Sequence, residues 1–360
     1  MNIAFFISSH GYGHAAREAA IISALRSRDP SILISIYTET PASFFIQSGI
    51  NDIQFHAVKT DIGLVQNSPF QSDLEETIRQ LKTWNRSFDS LSLEMAGNLK
   101  KTHTDLVISD ISPLGIASAQ KAGIPSLLIE NFTWDWIYEP YLPDYPGFKT
   151  IIETYRAVYN AADFHVQLDP VCKLSNKSSL TIPLVSRIPL KSRDETRHKL
   201  GITPAQQLGI ISMGGIPYNY TNLSDYYRTS FNVKLAFLGN FESVTTVKDV
   251  IQIPHVSDFY HPDLVSAADF VIGKAGYSLI AEVITQGKPF GYINRSDFRE
   301  SPCLDQFLRQ VPNAIEVKPE FDSLTEVVDR LSNFSTLNYP HQNGAEIAAD
   351  FIIQQASLGQ

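Results

Sequence analysis

Residues 254–291 read PHVSDFYHPDLVSAADFVIGKAGYSLIAEVITQGKPFG. The apolar run 270–272 reads as a strand, Gly273-Lys274-Ala275-Gly276 as a small-residue turn, and Tyr277 and Ser278 as the opening of a helix that carries Glu282 about one turn inside. Such a turn presents backbone N–H groups to an anion at the positive end of a helix. A carboxylate one turn along lies on the same helical face, where it can accept hydrogen bonds from a ribose diol. Together they describe a nucleotide diphosphate pocket. The plain alternatives are a glycine turn that serves only tight packing and a Glu282 that is a solvated helix residue.

Working outward, the second half of the chain continues the alternation, with strands expected at 208–212, 234–238, 250–253 and 290–293. The first half repeats it, with strands at 2–8, 33–37, 53–57, 106–109, 126–129 and 164–168, and helices at 15–26, 42–47, 73–101, 113–122 and 149–162. Strands separated by helices predict an α/β protein with two doubly wound parallel sheets. The expected division is an N-terminal Rossmann-like domain over 1–188, a second over 189–340, and a final segment, 341–360, whose apolar-faced helix can pack back on the first domain. Loops at the carboxyl ends of the strands bind ligands in such sheets, so two domains facing each other make a cleft. The stretch 131–145, rich in aromatics and prolines, reads as a long functional loop, and the polar stretch that runs to about 193 has little pattern.

The composition narrows the partners. Lys and Arg number 29 against 38 Asp and Glu, a net charge of −9, and no basic run is evident, which disfavours nucleic acid or an anionic membrane as principal partner. No run approaches the roughly 20 apolar residues of a membrane span, and residues 3–7 lack the basic flank of a signal peptide. The expectation is a cytoplasmic protein, with peripheral membrane contact left open and the oligomeric state unknown. The two cysteines, Cys172 and Cys303, are far apart in sequence and have no metal-ligand company, so neither a disulfide framework nor a zinc site is expected.

Three further loops carry candidate chemistry. The first strand runs into Ser8-Ser9-His10-Gly11-Tyr12-Gly13-His14, where the glycines permit close backbone approach and His14 falls near the start of a helix. The spacing is not Gly-x-Gly-x-x-Gly, so a dinucleotide site is the weaker reading. Asp110, ending the strand at 106–109, should emerge at the same rim as His14. A carboxylate that holds one imidazole N–H orients the other ring nitrogen as a general base. The alternatives are a capping histidine and an Asp110 that caps the next helix. In the second domain, Gly214 and Gly215 form another glycine turn that, with Lys274, Gly276 and Ser278, can cradle a pyrophosphate. A solvated Lys274 is an equal alternative. The turn at 238–240 and the segment from Pro254 to Val256 would border the base.

These residues resemble a known family. The tract 254–291 is similar to the donor signature of GT-B glycosyltransferases, both the MurG-like lipid II N-acetylglucosaminyltransferases and the UDP-glycosyltransferases of small molecules. A closer resemblance, to the N-terminal glycosyltransferase-like part of plant L-arabinokinases, rests on Ser9-His10-Gly11-Tyr12-Gly13-His14, Asn131-Phe132-Thr133-Trp134-Asp135-Trp136 and Gly273-Lys274-Ala275-Gly276-Tyr277. The resemblance implies two Rossmann-like domains and an inverting, metal-independent transfer of a sugar from a UDP-sugar to an acceptor hydroxyl, with no other cofactor. It implies that Glu282 binds the ribose, that Gly215, Gly276, Tyr277 and Ser278 line the diphosphate, and that His14 and Asp110 are the base dyad. The Asp-Gln or His-Gln pair usual for the donor sugar is not obvious just after the last strand, where Asp297 and Glu300 stand instead. Acceptor contacts are expected from His10, Gly11, Tyr12 and Gly13, with Thr133, Trp134 and Asp135 offering aromatic and polar walls. A buried packing cluster is the equal alternative there. Arabinokinases carry a kinase domain beyond this region, but no Gly-x-x-x-x-Gly-Lys-Ser/Thr motif occurs here, so phosphoryl transfer is not expected. Two rivals share the fold, a UDP-sugar 2-epimerase and a non-catalytic nucleotide-sugar sensor.

Overall fold

The structure, a computed structural model, describes residues 1–68, 71–214, 218–220, 223, 232–295, 298–318, 324–340 and 342–358. The chain forms two compact units. Unit 1 comprises Met1–Ser186, Asp297–Cys303 and Gln342–Gln360, and unit 2 comprises Arg187–Ser296 and Leu304–His341.

Unit 1 is built on the strands β1 (Asn2–Ile7), β2 (Leu33–Thr38), β3 (Ile53–Ala57), β6 (Leu106–Asp110), β7 (Ser126–Glu130), β8 (Phe164–Leu168) and β9 (Leu180–Ile182), with a small antiparallel hairpin of β4 (Gln66–Ser68) and β5 (Gln71–Ser72) apart from them. The sheet order is β3-β2-β1-β6-β7-β8-β9, all parallel. The chain therefore winds outward from β1 to β3 and returns on the other side of β1, which puts the switch point of the winding between β1 and β6. Residues Ile3 to Ile7 and the whole of β6 are buried, because helices cover both faces of a parallel sheet and leave no face for water.

The helices of this unit are α1 (Gly13–Arg28), α2 (Ala42–Gln47), α3 (Leu74–Lys101), α4 (Pro113–Ala122), α5 (Trp134–Tyr138) and α6 (Lys149–Asn160), together with α12 (Gly344–Leu358), which packs on α1. Their ends follow local chemistry. Asp73 accepts from the Glu76 N–H at the start of α3. Ser112 accepts from the Gly115 N–H ahead of Pro113, and Gly123 closes α4 in the left-handed conformation. The stretch 131–145, expected as a long loop, instead holds α5 and one short 3₁₀ turn, Glu139–Tyr141. Phe132, Trp134, Ile137 and Tyr138 are buried in the core with Phe148 and Tyr155 of the following segment. The cause is the aromatic content itself, since each ring buries a large apolar area when packed. The weakly patterned stretch likewise supplies β9, a three-residue edge strand too short to show a period.

Unit 2 repeats the plan with β10 (Gln207–Ser212), β11 (Val233–Gly239), β12 (Thr245–Val247), β13 (Val250–Pro254), β14 (Phe270–Lys274), β15 (Phe290–Ile293) and β16 (Ala314–Glu316), in the order β12-β13-β11-β10-β14-β15-β16. Only β12 is antiparallel. The remaining helices are α7 (Arg193–Lys199), α8 (His261–Ala267), α9 (Tyr277–Thr285), α10 (Ser301–Leu308) and α11 (Leu324–Ser332). The switch point here lies between β10 and β14. Among the described residues no helix is long and apolar enough to cross a membrane.

Candidate functional site

At the switch point of unit 1, β1 and β6 run in register with Ile7 opposite Asp110, so the turn into α1 and the end of β6 share one rim. His14 in the first turn of α1 places Nδ1 2.8 Å from Asp110 Oδ1. Arg17, one turn on, gives its Nε to Asp110 Oδ2 at 2.5 Å, a second guanidinium nitrogen to Asp110 Oδ1, and a third to Asn131 Oδ1 at 2.7 Å. All four side chains are buried. Asp110 is no helix cap, since Ser112 caps α4, and its aim is set by the residue that follows. Ile111 holds φ at +46°, a left-handed conformation that is strained for a β-branched residue. Its carbonyl is pinned by the Tyr159 hydroxyl at 2.7 Å.

The charges decide the proton positions. A carboxylate oxygen only accepts, so the 2.8 Å contact places the imidazole proton on Nδ1 and leaves the lone pair on Nε2. The approach of Arg17 to His14 Nδ1 at 3.0 Å is then electrostatic contact and not a hydrogen bond. Burial lowers the His14 pKa from 6.5, Asp110 opposes that, and Arg17 adds to it, so the ring is neutral at pH 7. Burial pushes Asp110 up, but Arg17 and His14 outweigh it and hold the carboxyl low. Glu18, fully buried beside Asp110, is held well above the usual carboxyl range by burial and by that neighbour, and it has no partner in hydrogen-bond geometry. The site thus holds a carboxylate, a guanidinium, a neutral base and a second carboxyl that burial pushes towards its neutral form.

In unit 2 the corresponding rim carries glycines. Gly214, after β10, has φ of +85°, which an L side chain rarely adopts, and a Cβ there would lie 3.5 Å from Lys274 Cε. Lys274 at the end of β14 therefore folds over that turn. Gly273 is fixed by packing, since a Cβ would come within 2.3 Å of the Ser212 carbonyl oxygen. Gly276 caps α9 without a side chain, so the positive end of the helix dipole faces outward past it. Glu282 is buried, not solvated, and both of its oxygens are in use. Oε1 accepts from Arg187 at 2.8 Å and Oε2 pairs with His261 Nδ1 at 2.6 Å. The far nitrogen of His261 lies 3.3 Å from Ser212 Oγ. Burial raises the Glu282 pKa, while Arg187 and His261 outweigh it and keep the group ionised. Arg187 brings a second nitrogen to Oε1 at 2.8 Å, so of the roughly four acceptor sites of a carboxylate one remains, on Oε2.

Several expected residues sit elsewhere than the pattern implied. The Ala275 N–H donates to the Ile293 carbonyl at 2.8 Å and is spent on the sheet margin. Val256 is 84% exposed. Glu300 belongs to unit 1, where it is buried and accepts from Asn131 Nδ2 at 2.6 Å. Trp134 is fully buried, and Asp135 is buried and paired with Arg156 at 3.2 Å. His10 packs edge-on to Trp134 and stacks on Phe298, while Tyr12 stacks on Phe44. Gly11 adopts φ of +74° with open space beyond it, Gly13 opens α1, and Thr133 precedes α5. Gly215 and Asp297 lie outside the described residues. Cys172 and Cys303, distant in sequence, are neighbours in unit 1. The Cys303 thiol and burial push Cys172 up, and Cys172 in turn holds Cys303 down. Arg17, Glu18, Asn131, Arg187 and His261 are site residues that the sequence reading did not single out. Only Arg17 carried a signal, its spacing of three from His14 on one helix face.

No family model matches the chain. Its sequence is 26% identical over 369 residues to the L-arabinokinase of Arabidopsis thaliana, covering 99% of this chain and 34% of that protein. The chain thus spans about a third of the length of that curated relative. Among solved structures, the glycotransferase of kitacinnamycin superposes with a TM-score of 0.67 at 14% identity, covering 98% of each chain. The fold is GT-B. A second GT-B structure, Phytolacca americana UGT2 complexed with UDP-2-fluoro-glucose and pterostilbene, superposes with a TM-score of 0.61 at 12% identity, over 99% of this chain and 94% of that one. The GT-B architecture accounts for the pair of seven-stranded sheets, each with its own switch point.

Proposed function

We propose that the chain is a glycosyltransferase that moves a sugar from a UDP-sugar to an acceptor hydroxyl, with inversion and without a metal. The observation that carries this reading is the buried His14–Asp110 contact, with the proton on Nδ1 and a neutral ring. His14 Nε2 takes the proton of the acceptor hydroxyl as its oxygen attacks the anomeric carbon, and Asp110 stabilises the imidazolium formed. The bond from the anomeric carbon to the diphosphate oxygen breaks as the new one forms, and a single displacement of this kind inverts the centre. Lys274 and the open end of α9 offset the charge that develops on the departing UDP, which is the role a metal would otherwise fill. Glu282 receives a ribose hydroxyl on the lone pair left on Oε2, held still by Arg187 and His261. A structure of the same fold bound to a UDP-sugar supports the donor class.

The test is to incubate the full chain with a panel of UDP-sugars and measure UDP release with and without candidate hydroxyl acceptors. Acceptor-dependent release is the expected result. An isomerised donor would identify an epimerase, and donor binding without turnover a sensor, and either outcome removes the transferase reading.

A further inference from the structure

The chain leaves unit 1 after Ser186 and returns to it at Asp297, and one cysteine stands on each side of that excursion, Cys172 before it and Cys303 after it. The returning segment is anchored on unit 1. Phe298 packs its ring edge-on against Phe132 at 5.7 Å, Glu300 accepts from Asn131 Nδ2 at 2.6 Å, and the Cys303 N–H donates to the Glu300 carbonyl at 3.0 Å. The same asparagine holds the outgoing side, since its backbone carbonyl accepts from the Cys172 N–H at 2.9 Å and its Nδ2 lies 3.9 Å from Cys172 Sγ. Cys303 Sγ in turn donates to the carbonyl of Pro170 at 3.6 Å, two residues before Cys172. Asn131 and Pro170 thus bring the two thiols together, and the Cys172 thiol donates to the Cys303 sulfur.

Two sulfurs in contact can share a metal or share a bond. A metal needs further ligands, and among the described residues no group of three or more His, Cys, Asp or Glu side chains is placed to hold one. A disulfide needs only the loss of two electrons and two protons. The thiols differ as such an exchange requires. Cys303 stands in the first turn of α10, where the helix N–H groups favour a thiolate, and the hydrogen bond from Cys172 holds it down against burial and the Glu300 carboxylate. The Cys303 contact and burial keep Cys172 a thiol. Access suits a small reagent, because both cysteines are half-buried, with Pro302 exposed beside one and Lys173 and Leu174 exposed beside the other.

We infer that Cys172 and Cys303 form a reversible thiol-oxidation site, which closes to an intramolecular disulfide with a small disulfide such as oxidised glutathione as the oxidant. The Cys303 thiolate attacks one sulfur of the reagent, forming a mixed disulfide and expelling a small thiolate, which takes up the proton that Cys303 had lost. Cys172 then gives up its proton, attacks Cys303 Sγ and expels the second small thiolate, which takes that proton. The protein pair is oxidised by two electrons, and the reagent is reduced to two thiols. The bridge closes a loop that contains residues 187–296 and ties the segment 297–303 to unit 1. The site stands whether or not the chain transfers a sugar.

The test exposes the full, reduced chain to glutathione buffers of stepped ratio and reads intact mass and a non-reducing peptide map. The expected product is a single chain that has lost two hydrogens, with one pair of peptides joined through Cys172 and Cys303, and dithiothreitol should restore both thiols. Cys172→Ser, whose hydroxyl still donates, should accumulate a glutathione adduct at Cys303, whereas Cys303→Ser should take up glutathione roughly tenfold more slowly. In urea the folded placement is lost, so closure should need a glutathione ratio roughly tenfold more oxidising than in the native protein. Thiols that stay free, adducts on both cysteines without a bridge, or a bridge between chains overturns the site. So does closure that is as easy in urea as in the fold. Faster adduct formation in Cys303→Ser than in Cys172→Ser overturns the order of attack.

Discussion

The two switch points share one topology and have opposite chemistry. In unit 1 the rim between β1 and β6 carries side chains, with His14, Arg17, Asn131 and Asp110 interlocked and Glu18 buried beside them. In unit 2 the gap between β10 and β14 is kept clear by Gly214 and Gly276, and its buried carboxylate lies a turn further along the helix. A proton-transfer site needs low exposure and fixed partners, because a free carboxylate or a wet imidazole would lose its tuned pKa. An anion site needs exposed backbone and a field, which glycine and a helix terminus supply. The same crossover therefore serves either purpose, and the side chains near it decide which.

The comparison is most exposed at His14. Replacing it with Ala should lower turnover by roughly 10²–10⁴-fold while UDP affinity, which the proposed function assigns to unit 2, stays within a few-fold. Unchanged turnover would falsify the dyad. Next in size, Arg17→Met leaves Asp110 buried without its guanidinium and should destabilise the protein by about 3–5 kcal/mol in urea unfolding. A loss below about 1 kcal/mol would mean that the network is wetter than its burial implies. In unit 2, Glu282→Gln should weaken UDP binding by roughly tenfold with little change in the turnover of bound donor; a variant that loses turnover and not affinity breaks the division of labour.

The smallest effect is in the pH profile. Because the His14 pKa is lowered in the folded state, the neutral base persists below pH 6.5, and turnover should decline only as pH falls through that lowered value. Unfolded chains protonate this ring first, so His14 also contributes a loss of stability as pH drops below 6.5. Arg17 is one cause of the lowering, so Arg17→Met, where it folds, should move the acid limb upward. A limb that stays in place assigns it to another group.

Much of the architecture was legible in the residues. Strands buried on both faces read as unbroken apolar runs, and helices such as α4 carry their caps in the sequence. The meeting of His14 and Asp110 was legible too, because adjacent parallel strands must end at one rim. Arg17 and Glu18 were not, since a charged pair on a helix reads as a solvated face until the network that buries it is known. The holders of Glu282, Arg187 and His261, lie 95 and 21 residues away, beyond any local pattern. The aromatic stretch left two readings open because rings that bind and rings that pack have the same composition, and only the fold shows Phe132, Trp134 and Tyr138 in the core.

The route of the chain has a consequence for anyone building hybrids of this protein. Residues 297–303 follow the last long strand of unit 2 yet belong to unit 1, where Phe298 joins the His10 and Phe132 rings and Glu300 bonds Asn131, itself the partner of Arg17. A graft that exchanges everything after residue 187 would carry off a piece of the packing around His10, Phe132 and Asn131. A replacement of unit 2 leaves unit 1 whole only if the new module spares this heptapeptide and the C-terminal helix, so the natural unit of exchange is discontinuous.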